Sequence, residues 1–426
     1  MKILTTLSDI LILMVLFYPL QAMVYSIIGH VRGKPEYPCA EPCRFAVLIC
    51  ARNEEKVIGN LLDSLDSQDY PRELFSCFVV AHNCTDRTAR IAREHGAVVF
   101  EWNDTEKNTK GDALHYGISR INGGFGGGYD ALCFFDADNL AGRSFLKEIN
   151  AALSSGADVA MGFRRSKNYH QNTVSELFGA YWYQIMYTVN IPNTAIGLPA
   201  IVGGTGFAVT AKTLKDGWNT ETMLEDIEFT VQMILRGKKI VIAPRALFYD
   251  EQPTDLKAGM RQRYRWACGG YQLLRQTMRR LLRAVPVQGR QIIWILPYIL
   301  IDPVMLLAMV AYLLRGAVSF TDGGVVGGIV FLLLTLLVGW VSVLPMTLLL
   351  FRWERMRVRD NLATLFLFPV FLMLSVPFGA AALFDRDPTW KPVSHNDSTT
   401  LADIEKLSDH EWFVSSDKTA VRKSLE

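Results

Sequence analysis

The 426-residue chain is predicted to hold an α/β domain with a mostly parallel sheet, set between apolar helices. Three observations predict it. Between residues 44 and 138, short apolar runs alternate with helix-like segments. The polar clusters "RNEE", "HNCTD" and "DAD" follow directly on those runs. The hydrophobic residues, 50% of the total, concentrate at the N-terminus and in the last third, which fits one soluble domain between membrane segments better than several soluble domains.

Residues 7–29 contain one acid and no base and are long enough to span a bilayer core. An uncleaved anchor is expected rather than a signal peptide, since the apolar run is long and lacks a small-x-small cleavage site. The domain spans 44–260. It opens with the strand "RFAVLICA", a helix "VIGNLLDSLDSQ" stopped at "DYP", and a second strand "LFSCFVVAHN". A helix ending at Gly96, the strand "AVVFEW", the helix "KGDALHYGISRI" and the strand "DALCFFDAD" follow. Strands alternating with helices imply a sheet covered on both faces, with ligands beyond the carboxyl ends of the strands. The glycine-rich "NGGFGGGYD" precedes a strand, so it reads as a turn rather than a phosphate loop.

Residues 261–290 carry eight arginines and no acid, which suits an interfacial helix among anionic headgroups. Within them "QRYRW" puts Gln262, Arg265 and Trp266 on one helical face. Three apolar runs occupy 291–384, at roughly 291–314, 324–351 and 361–384. The first holds Pro297, Asp302 and Pro303 and is open to a kinked or partly inserted form. The arginine-rich "RWERMRVRD" is expected on the cytoplasmic side, with the domain. The polar tail, 385–426, falls on either side according to whether the first run crosses. Net charge is +2, and no nucleic acid is expected as a partner. The seven cysteines form no CxxC pair and read as reduced thiols.

Asp136 and Asp138 end an apolar strand, where two carboxylates repel unless a cation such as Mg2+ or Mn2+ neutralises them. The plainer role is a turn or helix cap. Glu225 and Asp226 open an amphipathic helix, where acids are ordinary, but Asp226 is also placed to act as a general base. Upstream, "IVGGTGFAVT" supplies a glycine turn that lets backbone approach a substrate.

Taken in order, "ARNEE", "HNCTDRT", "KGDAL", "FFDADN", "LEDIEF" and "QRYRW" resemble family 2 membrane glycosyltransferases, the cellulose, hyaluronan and poly-N-acetylglucosamine synthases. The resemblance covers about residues 44–270. It implies a cytosolic GT-A type, Rossmann-like glycosyltransferase domain with flanking transmembrane and interfacial helices. It implies that Asn53, Glu54, Asp86 and Lys110 hold the nucleotide, that Asp136 contacts it, and that Asp138 binds the metal with Asp136 beside it. It makes Asp226 the catalytic base and sets Glu225, Gln262, Arg265 and Trp266 against the diphosphate and acceptor. Leu224 stands where the family has threonine, and His82 where an aspartate is common. "WKPVSH" (390–395) resembles a segment of some bacterial relatives and receives no role.

The leading expectation is therefore a multi-pass membrane enzyme that is metal-dependent and inverting. It extends a β-linked polysaccharide from a nucleotide sugar, UDP-N-acetylglucosamine or UDP-glucose. The alternatives are a single transfer to a lipid acceptor, and a scaffold that kept the fold without catalysis. The lipid bilayer is a partner in each; a homo-oligomer or an export partner stays open.

Overall fold

The computed structural model describes residues 2–124, 128–385, 395 and 397–407. Most of the polar tail, most of "WKPVSH" and residues 125–127 of the glycine-rich turn lie outside them.

The four expected strands are present: β1 (Phe45–Ala51), β2 (Phe75–His82), β3 (Val98–Trp102) and β4 (Ala131–Asp136). They pair in parallel in the order β3-β2-β1-β4. Side chains of β1 alternate between two cores. Phe45, Val47 and Ile49 pack with Ile58, Leu61, Phe145 and Ile149 on one face, while Ala46 and Leu48 pack with Leu114 and Ile118 on the other. Helix Lys110–Gly124 lies so close that a Cβ at Gly117 would stand 2.8 Å from Leu48 and Val80.

Four further strands complete an eight-stranded sheet: β5 (Leu140–Ala141), β6 (Val159–Ser166), β7 (Phe207–Thr210) and β8 (Ile240–Asp250), in the order β4-β7-β6-β8-β5. β7 is antiparallel to both β4 and β6, so this half is mixed rather than parallel. The glycine turn before β7 is the reason. Gly204 and Gly206 take φ of +81° and +64°, a region that admits such a reversal without a Cβ penalty.

Helix Leu256–Ile299 is capped by Asp255, whose carboxylate accepts from Ala258 N at 2.7 Å, and it kinks at Gln288, two residues beyond Pro286. Its last turns remain in the domain core through Ile292, Trp294, Ile295 and Ile299. Among the described residues two stretches are long and apolar enough to cross a membrane, Ile301–Trp353 and Leu362–Ala382. The first is not one rod. Gly324 breaks it with φ +63°, and Gly316 faces Phe331 and Leu332, residues a straight helix would carry two dozen ångströms away, on the order of 24 Å. It is a hairpin of two antiparallel legs, and helix Lys2–Arg32 packs along it. The second stretch is divided at Leu374 and rests on the domain, with Thr364 Oγ1 bonded to Glu176 and Phe371 against Phe178. The chain then returns to the sheet, where Leu401 and Ile404 of helix Leu401–Leu407 bury against Leu140 and Tyr249. Residues 397–407 therefore lie on the side of the domain.

Candidate active site

The carboxyl ends of β1, β2, β4 and β8 and the first residues of helices Lys110–Gly124 and Glu225–Leu235 meet at a cavity of about 2290 Å³. One ammonium ties the site together. Lys110 Nζ bonds the Asp136 carboxylate, donates to Gly204 O at 3.0 Å, and lies 3.9 Å from Glu225 Oε1. Burial alone would drive off its proton. Asp136 and Glu225 outweigh that and hold it charged, well above the usual lysine range.

Both members of the acidic pair feel this cation, Glu225 at 3.9 Å and Asp226 at longer range. Glu225 has Lys110 and Arg265 within electrostatic reach, yet burial, reinforced by Asp226, pushes its carboxyl up to about 7. Asp226 is also raised by burial, and the backbone N–H of Ile227 partly opposes the shift by donating to Oδ1 at 2.8 Å. Asp226 Oδ2 would stand 3.2 Å from a Cβ at Gly204, so the positive-φ glycine and the missing side chain serve the same close approach.

Asp138 is buried beside Asp250. Burial, opposed by His395 and reinforced by Asp250 and Asp136, raises it to about 7. Among the described residues no lysine or arginine pairs with its carboxylate; His395 Nε2 stands 3.6 Å away. His395 Nδ1 meets Glu54 Oε1 at 2.9 Å. Burial pulls the imidazole pKa down, but Asp138 and Glu54 outweigh it and raise it to about 10. The imidazolium is delivered by a strap: Lys167 Nζ holds Asp397 O at 2.8 Å, Asn60 holds Ser398 O at 3.0 Å, and Arg143 grips Glu405. No three His, Cys, Asp or Glu side chains among the described residues form a ready metal site. A cation placed here would need some of its ligands from a substrate, as Mg2+ and Mn2+ take them from phosphates.

On the other wall, Gln262, Arg265 and Trp266 line the cavity as one helical stripe. Trp266 stacks near Tyr181 with centroids 6.0 Å apart and meets Trp182 edge-on at 5.9 Å. Gln262 Oε1 is buried without a hydrogen-bond partner.

Asn53 and Asp86 do not line the cavity. Asn53 takes φ +59° and its Oδ1 accepts from Thr85 N at 2.8 Å. The Asp86 carboxylate accepts from Glu55 N at 3.1 Å and Thr88 N at 3.0 Å. Their polar atoms knit the two loops together behind the site. His82 does face the cavity, stacked on Trp102 at 4.6 Å with its Nε2 at 2.8 Å from Lys107 O.

Two site residues escaped the sequence. Arg164 on β6 is 4% exposed, pairs with Asp250 at 3.3 Å, binds Gly203 O and lies 3.8 Å over Trp182. It links the carboxylate wall to the aromatic one. The signal was a basic pair closing the apolar run "VAMGFRRS". His395 is the other, brought in from the tail.

Residues 42–269 match the family model described as "Glycosyltransferase like family 2". A probable glycosyltransferase, YdaM, of Bacillus subtilis is 26% identical over 236 residues, 53% of this chain and 55% of its own. A beta-monoglucosyldiacylglycerol synthase of Synechocystis is 27% identical over 53% of this chain and 47% of its own. A poly-beta-1,6-N-acetyl-D-glucosamine synthase of Staphylococcus aureus is 23% identical over 61% and 65%. The first two matches thus span about half the length of those relatives. Among solved structures, the mannosyltransferase PcManGT of Pyrobaculum calidifontis, in complex with GDP-Man and Mn2+, superposes with a TM-score of 0.60 at 15% identity over 90% of this chain and all of that one. At that identity the likeness is one of fold.

Proposed function

This chain belongs to glycosyltransferase family 2, and on that premise we propose that it moves one hexosyl group from a nucleoside diphosphate donor to a hydroxyl of a membrane lipid. The supporting observation is the continuity of the cavity. Beyond Trp266 it opens between helix Lys2–Arg32 and the hairpin, lined by Leu20, Met23, Ile27, Val343, Met346 and Leu349. Such a wall suits acyl chains, whereas a sugar polymer favours aromatic and polar surfaces. Extension of a polysaccharide is the second reading, favoured by Trp266, Tyr181 and Trp182, three rings suited to a sugar face.

The donor lies over β1, β2 and β4, its base near His82 and Arg52 and its diphosphate between Lys110 and Arg265. Asp138, with Asp136 beside it, would hold Mg2+ or Mn2+; its buried carboxylate, met by the His395 imidazole at 3.6 Å and by no lysine or arginine among the described residues, fits that group. Such a metal would supply charge neutralisation to the leaving diphosphate. Asp226 lacks the direct cation partner that Glu225 has, so it takes the proton of the acceptor hydroxyl. The freed oxygen forms a bond to the anomeric carbon as the bond to the diphosphate breaks on the opposite face, which inverts the centre. The domain lies in the cytoplasm. Helix Lys2–Arg32 and both legs of the hairpin cross the membrane, and Arg352, Arg355, Arg357 and Arg359 stay with the domain.

Purified protein with labelled UDP-hexoses, Mn2+ and extracted lipid is expected to give one added sugar per lipid, read by mass spectrometry. Asp226→Asn should lower the rate by about 10²- to 10⁴-fold. A ladder of sugars would select the second reading, and an undiminished Asp226→Asn rate would remove the base from the mechanism.

A further inference from the structure

One acid near the membrane end of the cavity is unused by this reading. Asp302 is the second residue of the first hairpin leg, where the hydrocarbon-rich sequence begins. It lines the same cavity as Trp266, and among the described residues no hydrogen bond or ion pair engages its carboxylate. An unpaired acid at that depth is costly to a fold and rare without a role.

Its position is defined by two glycines. A Cβ at Gly270 would stand 3.2 Å from Asp302 Oδ2, and one at Gly379 would stand 3.0 Å from Oδ1. Gly270 is four residues after Trp266 and eight after Gln262, so these three share one face of helix Leu256–Ile299. Gly270 therefore sits one helical turn, roughly 5.4 Å, beyond Trp266, and the Asp302 carboxylate lies against it in the same cavity as Asp226 and the apolar vestibule. Both glycines and Asp302 line the cavity, so the notch that admits the carboxylate is open to a ligand. Tyr181, beside Trp266, lies close enough to feel both Asp226 and Asp302.

Building on the lipid reading above, we propose that Asp302 selects the acceptor. Its carboxylate accepts hydrogen bonds from hydroxyls next to the one that reacts, while the indole of Trp266 covers the headgroup. This chemistry suits an uncharged, multiply hydroxylated headgroup, such as a glyceryl or glycosyl lipid. It disfavours a lipid phosphate, whose negative charge would meet the acid. No group is transferred to or from Asp302; it is a specificity-determining residue.

The test uses full-length protein in nanodiscs with the best UDP-hexose donor, a monohexosyl diacylglycerol as neutral, multiply hydroxylated acceptor, and undecaprenyl phosphate as anionic acceptor. Asp302→Asn and Asp302→Ala are expected to raise the KM for the neutral acceptor about 10- to 100-fold and to leave the KM for the donor within about twofold. They should also narrow the preference for neutral over anionic lipid. Gly270→Ala, which pushes a methyl onto the carboxylate without altering charge, should give the same acceptor defect. Donor binding by calorimetry verifies folding. An unchanged acceptor KM in both Asp302 variants, or wild-type preference for the lipid phosphate, overturns the assignment. Absence of transfer to any lipid by the wild type instead overturns the lipid reading itself, so the two failures are distinguishable.

Discussion

Lys110 shows how much one side chain can decide. Its ammonium reaches Asp136 and the Gly204 carbonyl, stands 3.9 Å from Glu225 and also acts on Asp226 at longer range, so both adjacent acids feel it, Glu225 at closer hand. This has a consequence in pH. Burial raises both Glu225 and Asp226, and the base must be ionised to accept a proton, so activity rises with pH through the raised values. The acid limb of kcat/KM is expected well above the ordinary carboxylate range of about 4, as one macroscopic property of the pair. Arg265 opposes the rise at Glu225, so Arg265→Ala should move the limb to still higher pH as well as slowing departure of the diphosphate. A pH–rate profile of both proteins checks this, and a limb that stays at about 4 would contradict it. Asp136, Asp138 and Asp226 were legible as cavity-lining residues because each sits in a local pattern at or next to the end of an element, and Trp266 because it shares a helical face with Gln262 and Arg265. Arg164, Asp302 and His395 were not, because nothing near them in sequence declares the neighbours they meet.

At the scale of elements, the first half of the sheet was readable because its strands are continuous apolar runs, buried on both faces, with turn residues between them. β5 to β8 were harder. β5 has two residues, β7 has four, and β8 contains Pro244 inside an eleven-residue strand whose register shifts against β6 between Gly162 and Phe163. The strap was invisible to any local reading, since Lys167, Asn60 and Arg143 are distant from it in sequence. Its hold is mainly apolar, through Leu401 and Ile404; the exposed Arg143–Glu405 pair adds no more than about 1 kcal/mol. Replacing both apolar residues by aspartate should therefore release His395 from Glu54 and Asp138. The expected result is a donor KM raised about tenfold with a melting temperature within a few degrees of the parent, whereas Arg143→Ala should barely differ. An unaltered donor KM in the double variant would show that His395 is idle there.

For the whole molecule, the apolar segments partition differently from their composition. The proline-containing run divides, with 291–299 staying in the domain core and 301 onward entering the hairpin. The last run, also apolar enough to cross, rests on the domain: 33% of its most apolar stretch is buried, against 0% of the hairpin's. If the legs cross, the turn at Gly323 and Gly324 faces outward. A cysteine at Asp322 should then react with an impermeant maleimide in intact cells, and one at Arg357 only after lysis. Equal labelling of the two would defeat this topology. The sequence by itself determined the alternating α/β order, the acids at the strand ends, the stripe of Gln262, Arg265 and Trp266 on one helix and the family, because each depends on periodicity or on a few contiguous residues. Only the tertiary structure decided that Lys110 comes nearer Glu225 than Asp226, that the last apolar run lies against the domain, and that His395 and residues 397–407 return to it. Those outcomes depend on distances between residues far apart in the chain, and burial and charge act through such distances rather than through sequence order.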